Sequence, residues 1–247
     1  MKRMRLDQLV VSRGLAESRE RAQRLILAGE VFVDGHPHTK AGQSIPMTAT
    51  ITLAARPRFV SRGGEKLEGA FAAFPLAVEG FDCIDVGAST GGFTDCLLQH
   101  GAARVIALDV GHGQIHPRIA ADPRVHVIER YNARNLRLGD LPYPPRFATV
   151  DVSFISLRLI LPPLAHLLPE GGEIVTLIKP QFEAGRGQAP RGVVRDPAVH
   201  EAVVEAIRSF GTQEVGLDWL GVVPSPLRGP EGNIEFLAWW RKGAPPA

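Results

Sequence analysis

The sequence predicts an α/β protein in which a doubly wound parallel-sheet domain follows a small α+β module. Three observations lead there. From residue 83 onward, short apolar runs alternate with amphipathic stretches; a glycine-rich turn directly follows the first of those runs; and the N-terminal segment reads helix, helix, strand. The chain has 247 residues, 45% of them apolar and 22% charged, enough for one sizeable core and a smaller one. Net charge is only +2, but residues 1–62 carry 11 Lys/Arg against 5 Asp/Glu and the rest carry 17 against 21. The basic surplus sits at one end, which points to a polyanionic partner there. The expected division is a module over 1–55, a basic linker over 56–62 around Pro57, and a larger domain over 63–247.

In the first module Leu6, Leu9 and Val10 share a helical face, and Gly14 can end that helix. Ser18 is placed to cap a second helix, with Arg19, Arg21 and Arg24 on its polar side and Ala22, Leu25 and Ile26 on its apolar side, until Gly29 stops it. Val31–Val33 followed by Asp34-Gly35 reads as a strand entering a tight turn, and 51–53 as a later strand. In the larger domain, strands are expected at 83–86, 105–108, 125–128, 148–152, 174–178 and 234–240, with helices at 93–99, 155–168 and 197–210.

Cys83 and Cys96 fall inside a predicted strand and helix with neither metal-like spacing nor a disulfide framework, so a reduced, cytoplasmic protein without a metal is expected. The N-terminus has charges but no apolar leader, and no run of about 18 apolar residues occurs. Neither secretion nor a membrane span is expected. His112, His116, His126 and His166 show no ligand spacing.

Residues 5–35, RLDQLVVSRGLAESRERAQRLILAGEVFVDG, resemble an S4 RNA-binding domain. The resemblance implies RNA contacts by Arg5, Arg13, Arg19, Arg21 and Arg24, and clustered arginines on one helix face suit phosphate binding by counterion release. A solvated charged helix face is the plain alternative.

Asp85-Val86-Gly87-Ala88-Ser89-Thr90-Gly91-Gly92-Phe93 places a glycine turn between a strand and a helix, where backbone amides can approach a ligand closely. It is neither GxGxxG nor a P-loop. Asp109 ends the second strand, where an acid can accept hydrogen bonds from ribose hydroxyls; a structural turn with a capping aspartate is the other reading. The run resembles the S-adenosylmethionine site of class I methyltransferases. That resemblance implies that Asp85, Gly87, Ala88, Ser89, Thr90, Gly91, Gly92 and Phe93 surround the methionine part of the cofactor. Asp109 and Val110 would then lie at the ribose, Asn132 near the adenine, and Asp151 beside the site.

Lys179 follows the apolar run IVTLI and Asp151 follows ATV, so both should emerge at strand carboxyl ends, where open α/β sheets bind ligands. Lys66, Asp151, Lys179 and Glu235 resemble, in order and context, the K-D-K-E set of FtsJ-like ribose 2′-O-methyltransferases. The stretches VSRGGEKL, DVGASTGGFTD, ALDVGHGQIH, DVSFISL, LIKPQFE, GRGQ and SPLRGPEGNIEF extend the likeness over nearly the whole chain. With the S4-like module, they identify it as a member of the TlyA family of ribosomal RNA 2′-O-methyltransferases. This implies methyl transfer from S-adenosylmethionine to a cytidine ribose in ribosomal RNA, as free RNA or an assembled subunit. The short tail favours the large-subunit site. Lys179 would be base or orienting cation, supported by Asp151, Lys66 and Glu235.

Residues 180–197 are rich in Gly, Pro and Arg and read as a substrate loop in which Phe182 packs on cofactor or base. Arg186, Arg191 and Arg195 would face phosphate there, and Arg62 from the linker is also expected to contact RNA. A monomer or weak dimer is expected. Two rivals remain: an RNA-binding protein with a non-catalytic methyltransferase fold, and a membrane-active haemolysin, since members of the family carry that name.

Overall fold

The computed structural model describes residues 2–54, 57–185 and 187–243. It divides into two compact units, Met1–Pro57 and Arg58–Ala247. The boundary expected at 55–56 lies outside the described residues. Of the stretch read as a linker, Phe59 is buried among the apolar side chains of the second unit.

The first unit runs β1 (Arg3–Arg5), α1 (Leu6–Ser12), α2 (Arg19–Leu27), β2 (Val31–Val33), β3 (His36–His38), β4 (Ser44–Pro46) and β5 (Ile51–Leu53). Ser18 caps α2 as expected, its hydroxyl accepting from the Arg21 amide at 3.2 Å. Asp34 and Gly35 both take positive φ, 49° and 83°, as the two-residue turn joining β2 to β3 demands. β2 pairs with β3 and β5, and β1 with β4, all antiparallel. Leu6, Leu9, Val10, Ala22, Ile26 and Val31 form its small core.

The second unit runs α3 (Arg62–Ala73), β6 (Asp82–Val86), α4 (Gly92–Gln99), β7 (Arg104–Leu108), α5 (Pro117–Ala120), β8 (Val125–Ile128), β9 (Phe147–Val150), α6 (Leu161–Leu167), β10 (Glu173–Ile178), α7 (Pro180–Glu183), α8 (Pro197–Gln213), β11 (Leu217–Pro224) and β12 (Phe236–Lys242). Its sheet has the order β11-β12-β10-β9-β6-β7-β8, with β12 antiparallel to β10 and to β11 and the other pairs parallel. The central strands are buried on both faces, which explains their unbroken apolar runs. The doubly wound reading holds.

One expected helix differs, and two longer elements were not expected. The helix read over 155–168 is a short 3-10 turn at 157–159 and then α6, because Pro162 and Pro163 suit a first helical turn and not an interior. β11 was not expected: Asp218, Gly221 and Pro224 interrupt its alternation, and a bulge lies between Trp219 and Gly221. α3 was likewise hidden by Gly63 and Gly64 at its start.

Glu68 on α3 accepts from His100 Nε2 at 2.7 Å and from Arg58 Nη1 at 2.6 Å, tying α3 to the end of α4. Cys96 Sγ also faces Glu68, at 3.7 Å. The sequence reading passed over this cluster. Burial pushes both thiols up, as suits inert core cysteines. No helix among the described residues is long and apolar enough to cross a membrane.

Candidate active site

The sheet itself assembles the four matched residues. β9 and β10 run parallel with Val150 opposite Thr176, so Asp151 and Lys179, each following its strand, leave the sheet side by side. β12 runs antiparallel to β10 with Phe236 opposite Ile178, so Glu235 enters at the same edge. Lys66 reaches it from α3. Lys179 Nζ lies 2.6 Å from Asp151 Oδ1 and donates to Ser153 Oγ at 2.9 Å. Lys66 Nζ donates to Glu235 Oε2 at 2.5 Å. Lys179 is 8% exposed and Glu235 1%; burying such charges is tolerable because each has its opposite beside it. Gly229 gives this pair room, since a Cβ there would make the Glu235 carboxylate shift.

Two buried oxygens here lack an aligned donor among the described residues: Asp151 Oδ1, which Lys179 approaches off the hydrogen-bond axis, and Gln181 Oε1. Orphaned buried acceptors are expensive unless a ligand supplies the missing donors.

β6 has β7 and β8 to one side and β9 and β10 to the other, so the strand order reverses between β6 and β9. Ligands bind at such a switch point. Gly87 sits there with φ +85°, and any Cβ would strike the Asp151 carbonyl oxygen. Two cavities meet at Gly87, Ser89 and Asp151. The larger, about 520 Å³, is lined by Ala88, Thr90, Gly92 and Phe93 of the glycine turn together with Lys66, Lys179, Arg62 and Arg191. The smaller, about 370 Å³, is lined by Asp109, Val110, Tyr131 and Asn132. Asp109 is held in place by the amides of Ser89 at 2.8 Å and Gly111 at 2.6 Å. Asn132 caps the turn after β8 through the Arg134 amide at 3.1 Å.

Two residues expected at the cofactor do not line these cavities. Asp85 lines neither cavity. Its carboxylate turns into the core and accepts from Thr94 Oγ1 at 2.7 Å and Thr149 Oγ1 at 3.0 Å; burial pushes it up to about 7 against those two bonds. Gly91 is also outside the cavities; it takes φ +90° to start α4 and packs on Ile119.

Among the arginines expected to meet RNA, Arg5 and Arg19 are bonded to buried Asp7, and Arg13 Nη2 donates to the Met47 and Ala49 carbonyls. Arg21 and Arg24 make no ion pair among the described residues and line a shallow cavity of about 410 Å³ in the first unit. Arg186 lies outside the described residues.

Sequence reasoning missed Phe154, Gln181 and Arg228, all of which line the larger cavity. Phe154 is 91% exposed with φ +62°, and its ring meets Phe182 with centroids 4.9 Å apart. Only the SFIS run after a strand hinted at it. The segment around Arg191 is fastened by buried Asn233, whose Oδ1 accepts from the Val194 amide at 3.1 Å and whose Nδ2 donates to the Gly192 and Pro230 carbonyls, each at 3.0 Å.

The profile of the FtsJ-like methyltransferases matches residues 59–242, and that of the S4 domain matches residues 4–50. The chain belongs to the FtsJ-like methyltransferase family. Its lysine–carboxylate edge and glycine turn are thus those of a methyltransferase unit, preceded by an S4 unit. The 16S/23S rRNA (cytidine-2′-O)-methyltransferase TlyA of Mycobacterium tuberculosis is 46% identical over 97% of this chain and 90% of its own. Hemolysin A of Brachyspira hyodysenteriae is 45% identical over 95% and 98%. A solved structure of a provisionally named hemolysin from Streptococcus thermophilus, 46% identical, covers all of this chain and 90% of its own with a TM-score of 0.76.

Proposed function

We propose that this methyltransferase uses S-adenosylmethionine to methylate a ribose 2′-hydroxyl in ribosomal RNA, at a cytidine and with the large subunit as the favoured source. The observation that carries the reading is the pair of buried lysine–carboxylate contacts at the strand edge where the two cavities meet. The name and high identity of the M. tuberculosis relative support RNA as acceptor and cytidine as target. The S4 unit would supply RNA affinity.

The residues present fit the cofactor. Gly87 leaves the switch point open, Asp109 stands at the β7 end where ribose hydroxyls are bound in such folds, and Gln181 Oε1 is a buried acceptor without a hydrogen-bond donor among the described residues. Gly87 to Phe93, without Gly91, would hold the methionine part, and Val110 and Asn132 the adenosine part. When bound, the cofactor supplies an electrophilic methyl group on a sulfonium.

A ribose hydroxyl is a weak nucleophile, so this chain must place it and manage its proton. Lys179 acts at the 2′-oxygen as base or orienting cation, with Asp151 and Ser153 fixing its amine. Lys66 adds a second cation, which Glu235 holds. Phe154 and Phe182 offer a flat apolar wall to the base, while Arg62 and Arg191 reach phosphates.

The test is transfer of labelled methyl from S-adenosylmethionine to ribosomal RNA and to isolated subunits, with nuclease mapping of the product. Lys179→Ala should cut transfer by about 10²–10⁴-fold while cofactor and RNA binding persist. Cofactor binding with no transfer to RNA in any form would sink the proposal and leave an RNA-binding protein with a silent methyltransferase fold.

A further inference from the structure

We infer that Glu183 is a positioning residue that fixes the aromatic wall of the site; only the identity of what that wall receives rests on the RNA reading above. Phe182 and Glu183 are adjacent in α7, with Phe182 lining the larger cavity. Glu183 Oε2 accepts from Ser156 Oγ at 2.6 Å and Oε1 accepts from the Leu157 amide at 2.7 Å. Ser156 caps and Leu157 begins the 3-10 turn that directly follows the bend carrying Phe154. One carboxylate thereby ties the peptide bearing one ring to the peptide bearing the other, at two points.

The tie acts on a strained turn. The Phe154 backbone lies at φ +62°, a conformation a bulky side chain rarely adopts unless its surroundings impose it. Ser153, accepting from Lys179, and the packed side chains of Ile155 and Leu157 hold the chain on either side. The Phe154 ring is nonetheless 91% exposed, and the tilted contact with Phe182, planes at 50°, is its one aromatic neighbour among the described residues. An exposed, held aromatic pair at a cavity mouth suits a flat ligand, and a nucleobase is the flat part of the proposed substrate. Burial also lifts the Glu183 carboxyl above its ordinary range, with the Ser156 and Leu157 bonds opposing it, as expected of an anion kept in the interior for its bonds.

The experiment compares Glu183→Ala, Glu183→Gln and Ser156→Ala in the full chain. The first loses both ties; the second keeps an acceptor for the Leu157 amide; the third loses one tie. For a ribosomal RNA acceptor, Glu183→Ala should raise KM about tenfold or more and leave kcat within about threefold, with the S-adenosylmethionine Kd unchanged. Ser156→Ala should fall between, and Glu183→Gln should recover most of the loss. A second readout needs no activity: 5-fluorotryptophan in a Phe154→Trp background gives a fluorine resonance beyond those of the three native tryptophans. It should be a single dispersed line with Glu183 present and should collapse toward the free-tryptophan position in Glu183→Ala or, if that chain does not fold, shift part-way in Ser156→Ala. An unmoved KM and resonance, or a cofactor Kd that rises as much as KM, would overturn the assignment. If the unaltered protein methylates no RNA, the functional reading fails while the fluorine line still decides the role of Glu183.

Discussion

Two aspartates without exposed surface, one in each unit, titrate in opposite directions, Asp7 under a thin layer of side chains and Asp85 deep in the core. Asp7 in the S4 unit accepts from both Arg5 nitrogens and from Arg19 at 3.1 Å, from Gln23 at 3.0 Å and from the Gln8 amide at 2.9 Å. The Arg5 guanidinium above all, with Gln23 and Arg19, holds its carboxyl well below the usual range despite burial. Asp85 in the methyltransferase unit accepts from two neutral hydroxyls, with a smaller contribution from the Thr94 backbone, and from no cation among the described residues. There burial wins, the charge of Asp151 adds to it, and the carboxyl rises to about 7. Depth of burial and the charge carried by the donors together set the sign. The comparison also divides the roles: Asp7 anchors two arginines at the surface, whereas Asp85 braces β6, α4 and β9 behind the glycine turn.

The comparison breaks most visibly at Asp7. Removing the carboxylate leaves several donors without a partner, but Arg5 and Arg19 are half-exposed and can turn to water, so Asp7→Ala should destabilise the S4 unit by about 2 kcal/mol. That is a large fraction of the stability of so small a unit. Limited proteolysis of the full chain should then nick the first 57 residues while residues 58–247 resist. RNA affinity should fall and cofactor affinity should not. A cost under about 1 kcal/mol would show that the arginines are as well served by water, and that Asp7 is no anchor.

The difference between the aspartates also marks what could be read from the sequence. The alternation of apolar runs gave the doubly wound domain because parallel strands, buried on both faces, leave an unmixed signal. Lys66, Asp151, Lys179 and Glu235 were legible because each adjoins a recognisable strand or motif, and the sheet register then brings them together. The direction in which a side chain turns was not legible. Asp85 precedes the glycines and reads as a ligand residue, yet β6 is buried on both faces and the Thr94 and Thr149 hydroxyls hold its carboxylate in the core. Nothing in the sequence marks Phe154 as exposed, because its direction is set by left-handed backbone at that one residue. Arg5, Arg13 and Arg19 read as free cations, and only the tertiary fold shows them bonded at home.

Asp85→Asn sharpens the comparison through pH. Below about pH 4 Asp85 is protonated in both the folded and the unfolded chain. Between there and about 7 the unfolded chain releases the proton first, so the folded state holds more protons and stability falls as pH rises. Above about 7 both states are ionised and the penalty is constant. The fall attributable to Asp85 should be on the order of 3 kcal/mol, and it should be missing in Asp85→Asn. Trp219, Trp239 and Trp240 all lie in this unit, so their fluorescence follows its unfolding free of the S4 unit. Asp7 predicts the opposite slope: its contribution is present above the unfolded value and is lost only as pH falls through a much lower folded one. Parallel profiles for Asp85→Asn and the unaltered chain would show that the Thr94 and Thr149 hydroxyls suffice to keep Asp85 ionised.

The smallest change in the set tests those hydroxyls directly. Thr149 is fully buried and donates to Asp85 Oδ1. Val is close to Thr in shape, so Thr149→Val removes the donor with little change of packing, at a cost of about 1 kcal/mol near neutral pH. Because the bond is made to the charged form, the loss should be greatest above pH 7 and should shrink in acid, where a protonated Asp85 can itself donate. The midpoint of the stability decline should move upward, since one of the two bonds that oppose burial is gone. A cost that is the same at pH 4 and pH 8 would mean that Thr149 serves packing alone. Asp85 would then owe its place behind the glycine turn to Thr94, on the helix that the turn begins.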